Sequence, residues 1–141
     1  MPIVLKCDGG KKGKEVISSA AIFRAKLVDL HREDSCIAVA SIKFSGTTNE
    51  AEIRAVWLGI KLLRQFPEIV TLTPDIYIFS DSELTINLLK RIYQCHNETL
   101  KKWRDWIIEE IVTLENQGLS ITTQWINRDL NYYTDKLCKL L

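Results

Sequence analysis

Four acidic residues stand at positions where folding could bring their side chains together. Asp8 follows an alternating run at residues 2–7, and Asp81 follows an apolar run at residues 76–80. Both runs are typical of strands, and open sheets place their sites at such strand ends. Glu52 lies near the start of a predicted helix and Asp135 in the first turns of the last one, so all four carboxylates are candidates for one site.

Carboxylates that converge need a counter-charge. Two like charges about 5 Å apart repel by about 3 kcal/mol at an effective dielectric constant of about 20. A divalent cation supplies the counter-charge, and ligands that are all oxygens favour Mg²⁺ or Mn²⁺ over zinc. Any one of these acids alone would indicate a strand-end turn residue or a charge at a helix N-terminus. The four together favour a metal site.

Two glutamates compete for the role on the first helix, in the stretch TTNEAEIRAVWLGIKLL at residues 47–63. Successive helical residues are about 100° apart, so Glu50 and Glu52 project roughly 200° apart and only one can face the sheet. The residues on the face of Glu52 are small or apolar, namely Ala55, Val56, Gly59, Ile60 and Leu63. Glu50 completes a Thr-x-x-Glu capping box with Thr47, which explains it structurally. A buried carboxylate needs compensation, so we assign the functional role to Glu52.

Apolar patterns along the chain predict the elements that must position these acids. Strands are predicted at residues 2–8, 16–28, 36–44, 76–80 and 119–126, and helices from residue 47, at 82–91, at 99–116 and through 137 to 141. The first strand is expected to end near Asp8, where Gly9 and Gly10 break the run. The first three strands should form an antiparallel meander. This order predicts an α/β fold with a mixed sheet covered by helices.

Composition and charge limit the kind of protein. A chain of 141 residues with 46% hydrophobic and 26% charged residues is predicted to form one domain over residues 1–141. The four cysteines include no Cys-x-x-Cys pair, which favours reduced thiols in an intracellular, cytoplasmic protein. A net charge of +1 does not indicate a strongly basic nucleic-acid binder, and no apolar segment is long enough to span a bilayer. We expect a monomer that contacts no membrane and holds any nucleic acid through local clusters.

The motifs that carry the four acids resemble those of the type 1 ribonuclease H family. They are KCDGG for Asp8, TTNEAEIRAV for Glu52, IYIFSDSELTINLL for Asp81 and WINRDLNYYTDKL for Asp135. In this order and spacing they are specific, and the resemblance covers nearly the whole chain. It implies a ribonuclease H-like fold, in which a five-stranded mixed sheet, three antiparallel strands then two parallel, is flanked by helices. It also implies that the four carboxylates hold two Mg²⁺ ions, which Mn²⁺ could replace, and hydrolyse the RNA strand of an RNA/DNA hybrid.

The same resemblance implies contacts to the nucleic acid. They fall on Gly9, Gly10, Lys11, Lys12, Thr47, Asn49 and Ser82. The two glycines would let the backbone approach the 2′-hydroxyl edge of the RNA strand, and the lysines could contact a phosphate. Asn49 could reach a base edge or a sugar in the minor groove. Thr47 matches a position near a DNA-strand phosphate, although helix capping explains it equally well.

The chain departs from the family pattern in ways that affect substrate binding. Glu83 stands where many relatives have glutamine, and the short loop INRDLN lacks the histidine that assists product release in many relatives, leaving Arg128 and Asp129 as its polar groups. A basic protrusion is also missing, so we expect weak substrate affinity. Two alternatives stay open: a ribonuclease H-like module that binds nucleic acid without cleaving it, and the same chemistry on double-stranded RNA or branched DNA. Trp103 and Trp125 fall on core-facing positions and are predicted to pack.

Overall fold

Three antiparallel strands open the chain: β1 (Ile3–Lys12), β2 (Glu15–Arg24) and β3 (Cys36–Phe44). The computed structural model describes residues 1–33, 35–72 and 74–140. The expected end of the first strand near Asp8 is wrong, because the residues from Gly9 to Lys12 continue the ladder with β2. The chain turns only at Gly13, whose φ of +65° glycine adopts readily. Lys11 and Lys12 therefore lie on a strand rather than in a turn.

The rest of the chain alternates helices and strands. Its elements are α1 (Thr48–Arg64), α2 (Pro67–Leu72), β4 (Asp75–Ser80), α3 (Glu83–Leu89), α4 (Glu98–Asn116), β5 (Ser120–Trp125), a 3₁₀ turn (Arg128–Asn131) and α5 (Tyr132–Leu140). The short helix α2 is not among the predicted elements, because six residues are too few for a helical period to show. Its only signal is Pro67 at the first helical position. The predicted last helix extends to residue 141, which lies outside the described residues.

The five strands form one mixed sheet in the order β3-β2-β1-β4-β5. β4 runs parallel to both β1 and β5, so the predicted fold class, three antiparallel strands followed by two parallel ones, is confirmed. The ladder between β1 and β4 ends at the pair Cys7 and Ser80. The next residues are Asp8, which continues β1, and Asp81, which directly follows β4, so the two acids are neighbours.

The two faces of the sheet are covered differently. Ile3, Leu5 and Cys7 of β1 pack in the main core with α1, whereas Val4 packs in a smaller core on the opposite face. Lys6 lies on that second face with only 1% of its surface exposed. Its Nζ donates at 2.6 Å to Glu33 Oε1 and at 2.6 Å to the carbonyl oxygen of Leu130. This pair of bonds, the Lys6 latch, ties the β2–β3 connection and the 3₁₀ turn to the strand that carries Asp8.

The tryptophans confirm one packing prediction and contradict the other. Trp103 packs against the main core and meets Trp57 edge to face, with ring centroids 5.2 Å apart. Trp125, predicted to pack, is 47% exposed. It is the last residue of an edge strand, and its indole Nε1 donates to the carbonyl oxygen of Asp81 at 3.1 Å, which holds the ring at the surface.

No helix among the described residues has the length and apolar character that crossing a bilayer requires.

Candidate active site

Asp8, Glu52 and Asp81 meet at one edge of the sheet. One carboxylate oxygen from each lies within 4.8 Å of the corresponding oxygens of the other two. Asp8 lies on β1, Asp81 directly follows the adjacent strand β4, and Glu52 lies near the start of α1. Asp8 is 3% exposed and Glu52 is 7% exposed. We call these three side chains the carboxylate cluster. Its members are the acids that the sequence placed after two strand-like runs and on the buried face of a helix.

Glycine at position 9 allows α1 to approach β1 closely enough for Glu52 to reach the cluster. A Cβ atom on Gly9 would lie 2.5 Å from the backbone carbon of Ala51 and 2.5 Å from the backbone nitrogen of Glu52. The Gly9 N–H donates to Asp8 Oδ1 at 3.0 Å and to Glu52 Oε2 at 3.2 Å. Ser18 Oγ donates to the carbonyl oxygen of Ala51 at 2.6 Å. The first turn of α1 is thereby fixed on β1 and β2.

We expect Gly9→Ala to destabilise the fold, since the added methyl would overlap backbone atoms that have no room to move. Overpacking of this kind costs about 1–3 kcal/mol or more, and here it must also separate Glu52 from Asp8. Urea unfolding followed by circular dichroism measures the change. Gly10→Ala is the matched control, because its Cβ would lie an ordinary 3.7 Å from Cys138 Cβ. Equal stability of the two variants would contradict this account of Gly9.

Burial and mutual repulsion disfavour the charged forms of the cluster. Burial, followed by the charges of Asp81 and Asp135, raises the pKa of Asp8 to about 8. Burial, followed by the charges of Asp8 and Asp81, raises the pKa of Glu52 to about 9. Burial also raises the pKa of Asp81, and the nearby Arg128 opposes that rise. Without a bound cation, the cluster therefore retains protons that isolated carboxyl groups would lose.

The donor set fits a hard divalent cation. Asp81 Oδ2 is buried and has no hydrogen-bond partner within the described part of the chain. This oxygen forms an ion pair with the guanidinium of Arg128, whose Nε lies 3.7 Å away. The Arg128 side chain is 78% exposed. Three converging carboxylates, one with an unsatisfied oxygen, match the all-oxygen coordination of Mg²⁺ or Mn²⁺.

Asp135 lies at the rim of the site. It is in the first turn of α5 and lines the same pocket as Asp8 and Glu52. The group of mutually close carboxylates does not include it. Its Oδ2 lies 3.1 Å from Lys139 Nζ, one helical turn further along α5. The fourth predicted acid is thus beside the cluster and engaged by a lysine.

The predicted nucleic-acid contacts are distributed around this pocket and at two helix starts. Gly9, Gly10 and Lys11 line the pocket itself. Lys12 Nζ donates to the carbonyl oxygen of Lys139 at 3.3 Å. The other three lie at helix starts: Thr47 caps α1 by accepting from the Glu50 N–H at 3.1 Å, Ser82 caps α3 by accepting from the Thr85 N–H at 3.2 Å, and Asn49 is exposed in α1. The N-cap role given to Thr47 is confirmed, and Glu50 takes part in this contact through its backbone N–H.

Sequence reasoning missed the side chains that fix α5 against β1. Asn131 is fully buried, and its Nδ2 donates to the carbonyl oxygen of Cys7 at 2.8 Å. Cys138 Sγ donates to the carbonyl oxygen of Asp8 at 3.5 Å. A hydrogen bond from Asn131 also lowers the pKa of Asp81. The available signal was the position of Asn131, directly before α5 and four residues ahead of Asp135.

Comparison with known proteins places this geometry in a family and a fold. The reverse transcriptase-like family matches residues 6–141. No curated protein sequence matches the chain.

Solved ribonuclease H structures share the fold at low sequence identity. Ribonuclease H1 from the halophilic archaeon Halobacterium salinarum NRC-1 aligns with a TM-score of 0.77 and 17% identity, covering 99% of this chain and 96% of that one. The N-terminal ribonuclease H domain of rv2228c from Mycobacterium tuberculosis, solved as a fusion with maltose-binding protein, aligns with a TM-score of 0.76 and 20% identity. The alignment covers 98% of this chain and 91% of that one. LC11-RNase H1, solved in complex with an RNA/DNA hybrid, aligns with a TM-score of 0.76 and 20% identity, covering 98% of this chain and 94% of that one. The ribonuclease H-like fold implied by the motifs is confirmed.

Proposed function

We propose a function for this chain from the premise that it belongs to the reverse transcriptase-like family. The proposed function is metal-dependent endonuclease activity that hydrolyses the RNA strand of RNA/DNA hybrids. The observation that carries it is the cluster of Asp8, Glu52 and Asp81, in which three carboxylate oxygens lie within 4.8 Å of one another. Two of the structural neighbours are ribonucleases H1, and one of these was solved bound to an RNA/DNA hybrid, which supports the choice of substrate.

The carboxylate cluster would hold the metal, with Asp135 as a further ligand from the rim. We propose Mg²⁺, two ions, with Mn²⁺ as a substitute. Divalent ions bound there would lower the pKa of an attacking water and stabilise the charge on the phosphate and the leaving oxygen. The chain itself supplies orientation: the Gly9 N–H holds Asp8 and Glu52 in place, and the burial of both side chains limits competition from bulk water.

Cations at the rim would position the phosphate backbone. Lys11 and Arg128 line the same pocket as the acids, and both are exposed. Each can pair with a backbone phosphate next to the scissile one, which fixes the strand over the cluster. We retain Gly9, Gly10, Lys12, Thr47, Asn49 and Ser82 as proposed contacts. The arginine lies in the loop that lacks the histidine of many relatives, and it is the positive group of that loop nearest to Asp81.

The test is a cleavage assay with end-labelled RNA/DNA hybrid and either Mg²⁺ or Mn²⁺. We expect the wild-type chain to cut the RNA strand and Asp81→Asn to be slower by about 1,000-fold or more, because the substitution removes a charge from the cluster. Asp75→Asn is the matched control, since Asp75 is exposed at the opposite end of the same strand. Equal inertness of the wild type and Asp81→Asn would reject the assignment.

A binding module without turnover is the second candidate. The observation in its favour is the ion pair of Asp135 with Lys139, which gives the fourth acid a cation partner outside the group of three. This candidate predicts hybrid binding without cleavage in either metal. Parallel reactions with double-stranded RNA and a branched DNA junction test whether the same chemistry acts on a different substrate.

A further inference from the structure

A hollow lies beside the carboxylate cluster, between α3 and the end of β5. Its main lining residues are Ile86, Asn87, Lys90, Ile92, Gln124 and Trp125. We call it the α3–β5 hollow. It does not share lining residues with the pocket that holds Asp8, Glu52 and Asp135. The two are adjacent through Asp81, because Trp125 is hydrogen-bonded to the backbone of that residue.

The indole of Trp125 is presented as an apolar surface. Its single polar atom, Nε1, already donates to the carbonyl oxygen of Asp81 at 3.1 Å, yet the residue is 47% exposed. Apart from Nε1 all the ring atoms are carbon, so the indole offers an apolar surface that its bond to the Asp81 backbone holds beside the carboxylate cluster. Covering such an exposed ring with another flat apolar surface lowers the free energy.

The other lining side chains indicate what that surface belongs to. Asn87 and Gln124 carry amides, which offer both donors and acceptors, and Ile86 supplies a buried apolar floor. Lys90 places a cation at the end of α3. Glu83, which also lines the hollow, can accept a hydrogen bond from an exocyclic amino group but repels phosphate. This combination suits a nucleobase, with its phosphate outside near the lysine.

We propose that the α3–β5 hollow binds an unpaired nucleobase of the strand that passes over the carboxylate cluster, with the base stacked on Trp125. The proposal rests on the proposed function, since it takes the substrate to be a nucleic acid. Bases inside a duplex are already stacked on their neighbours, so the indole can take only a base in a single-stranded extension or at a strand end. The site would give the chain a preference for hybrids that carry an RNA overhang.

The experiment measures binding in EDTA, where cleavage is absent, by anisotropy of fluorescein-labelled oligonucleotides. A blunt RNA/DNA hybrid is compared with the same hybrid carrying a short single-stranded RNA extension, at the 3′ end in one arm and at the 5′ end in another. We expect the extension at one end to tighten binding about 5- to 100-fold, the range that one stacked base provides. Trp125→Ala should abolish this gain.

Two further variants separate stacking from structural effects. Trp125→Phe loses the hydrogen bond to Asp81 but keeps a ring, so we expect most of the gain to remain. Asn87→Ala leaves Trp125 in place and should reduce the gain, which keeps the test valid if Trp125→Ala does not fold. Trp106→Ala is the matched control, because Trp106 is 43% exposed on α4, where it meets Trp103 edge to face. It should leave the gain unchanged.

The outcomes separate this proposal from the proposed function. It is overturned if neither extension tightens binding, or if Trp125→Ala weakens binding to blunt and extended hybrids by the same factor. Cleavage of blunt hybrid without any gain from an extension would reject the hollow and keep the endonuclease. A gain that depends on Trp125 in a chain that cuts nothing would keep the hollow and reject the endonuclease.

Discussion

Replacing Glu52 with glutamine will abolish hybrid cleavage and, in the metal-free protein, raise the free energy of unfolding. Oxygens of Asp8 and Asp81 lie within 4.8 Å of Glu52, and burial raises the pKa of Glu52 to about 9. At pH 7 the folded, metal-free protein must therefore hold a proton on Glu52 that the unfolded chain would release, which destabilises the fold. Glutamine keeps an oxygen to accept from the Gly9 N–H and carries no charge. We expect cleavage to fall by about 1,000-fold or more. Since one pKa unit corresponds to about 1.4 kcal/mol, removing this protonation cost should raise stability by about 1–3 kcal/mol at pH 7.

Glu50→Gln is the control for this prediction. Glu50 lies two residues before Glu52 at the start of the same helix. Its backbone N–H, not its side chain, makes the cap contact with Thr47. We expect this variant to cleave hybrid at the wild-type rate and to change stability by less than about 0.5 kcal/mol. Cleavage is followed with labelled hybrid and Mg²⁺, and stability by urea unfolding in EDTA. A Glu52→Gln protein that is less stable than wild type would show that the charge of Glu52 stabilises the metal-free fold.

The metal-free protein will lose stability as the pH rises from 5 to 9. Burial raises the pKa of Asp8 to about 8 and that of Glu52 to about 9, well above the values of the unfolded chain near 4. In this window the folded state binds more protons than the unfolded state, so the free energy of unfolding falls with increasing pH. The contribution is fully present below the unfolded pKa values and is lost as the pH rises through the folded ones. Each group can contribute up to about 1.4 kcal/mol per pH unit.

Urea unfolding at pH 5, 7 and 9 in EDTA measures this dependence. The double variant Asp8→Asn with Glu52→Gln lacks both groups and should show a much flatter profile. Adding Mg²⁺ or Mn²⁺ at pH 8 should restore stability to the wild type, because an ion that binds only the folded state stabilises it by mass action. A wild-type stability that is flat or rises with pH in EDTA would contradict the raised pKa values.

Much of the site followed from short-range patterns. The third strand was predicted at residues 36–44 and spans Cys36–Phe44, because a β-rich run bounded by polar residues is unambiguous. Glu52 was chosen over Glu50 from helical phase alone, and it is the one that joins the cluster. Asp8 and Asp81 were expected together because both follow strand-like runs. Each of these conclusions needed only residues within one element.

The rest depended on partners that are distant in sequence. Gly9 breaks a local pattern, yet its ladder with β2 keeps it in a strand. The exposure of Trp125 results from β5 being an edge strand and from a bond to Asp81. The alternation of β1 put Lys6 on the face of Asp8, but nothing local pointed to Glu33 or Leu130 as its partners. Such contacts are set by topology, which a single element does not contain.

The Lys6 latch has a consequence for the order in which the protein assembles. Lys6 and Leu130 are 124 residues apart, as are Cys7 and Asn131, while Cys138 bonds to a carbonyl 130 residues earlier. Contacts between such distant segments form slowly, because a long loop must close before they contribute. During synthesis these bonds can therefore form only after the 3₁₀ turn and α5 have left the ribosome. Until then the ammonium of Lys6 stays hydrated or pairs with Glu33 alone, and the strand that carries Asp8 lacks its contacts with α5.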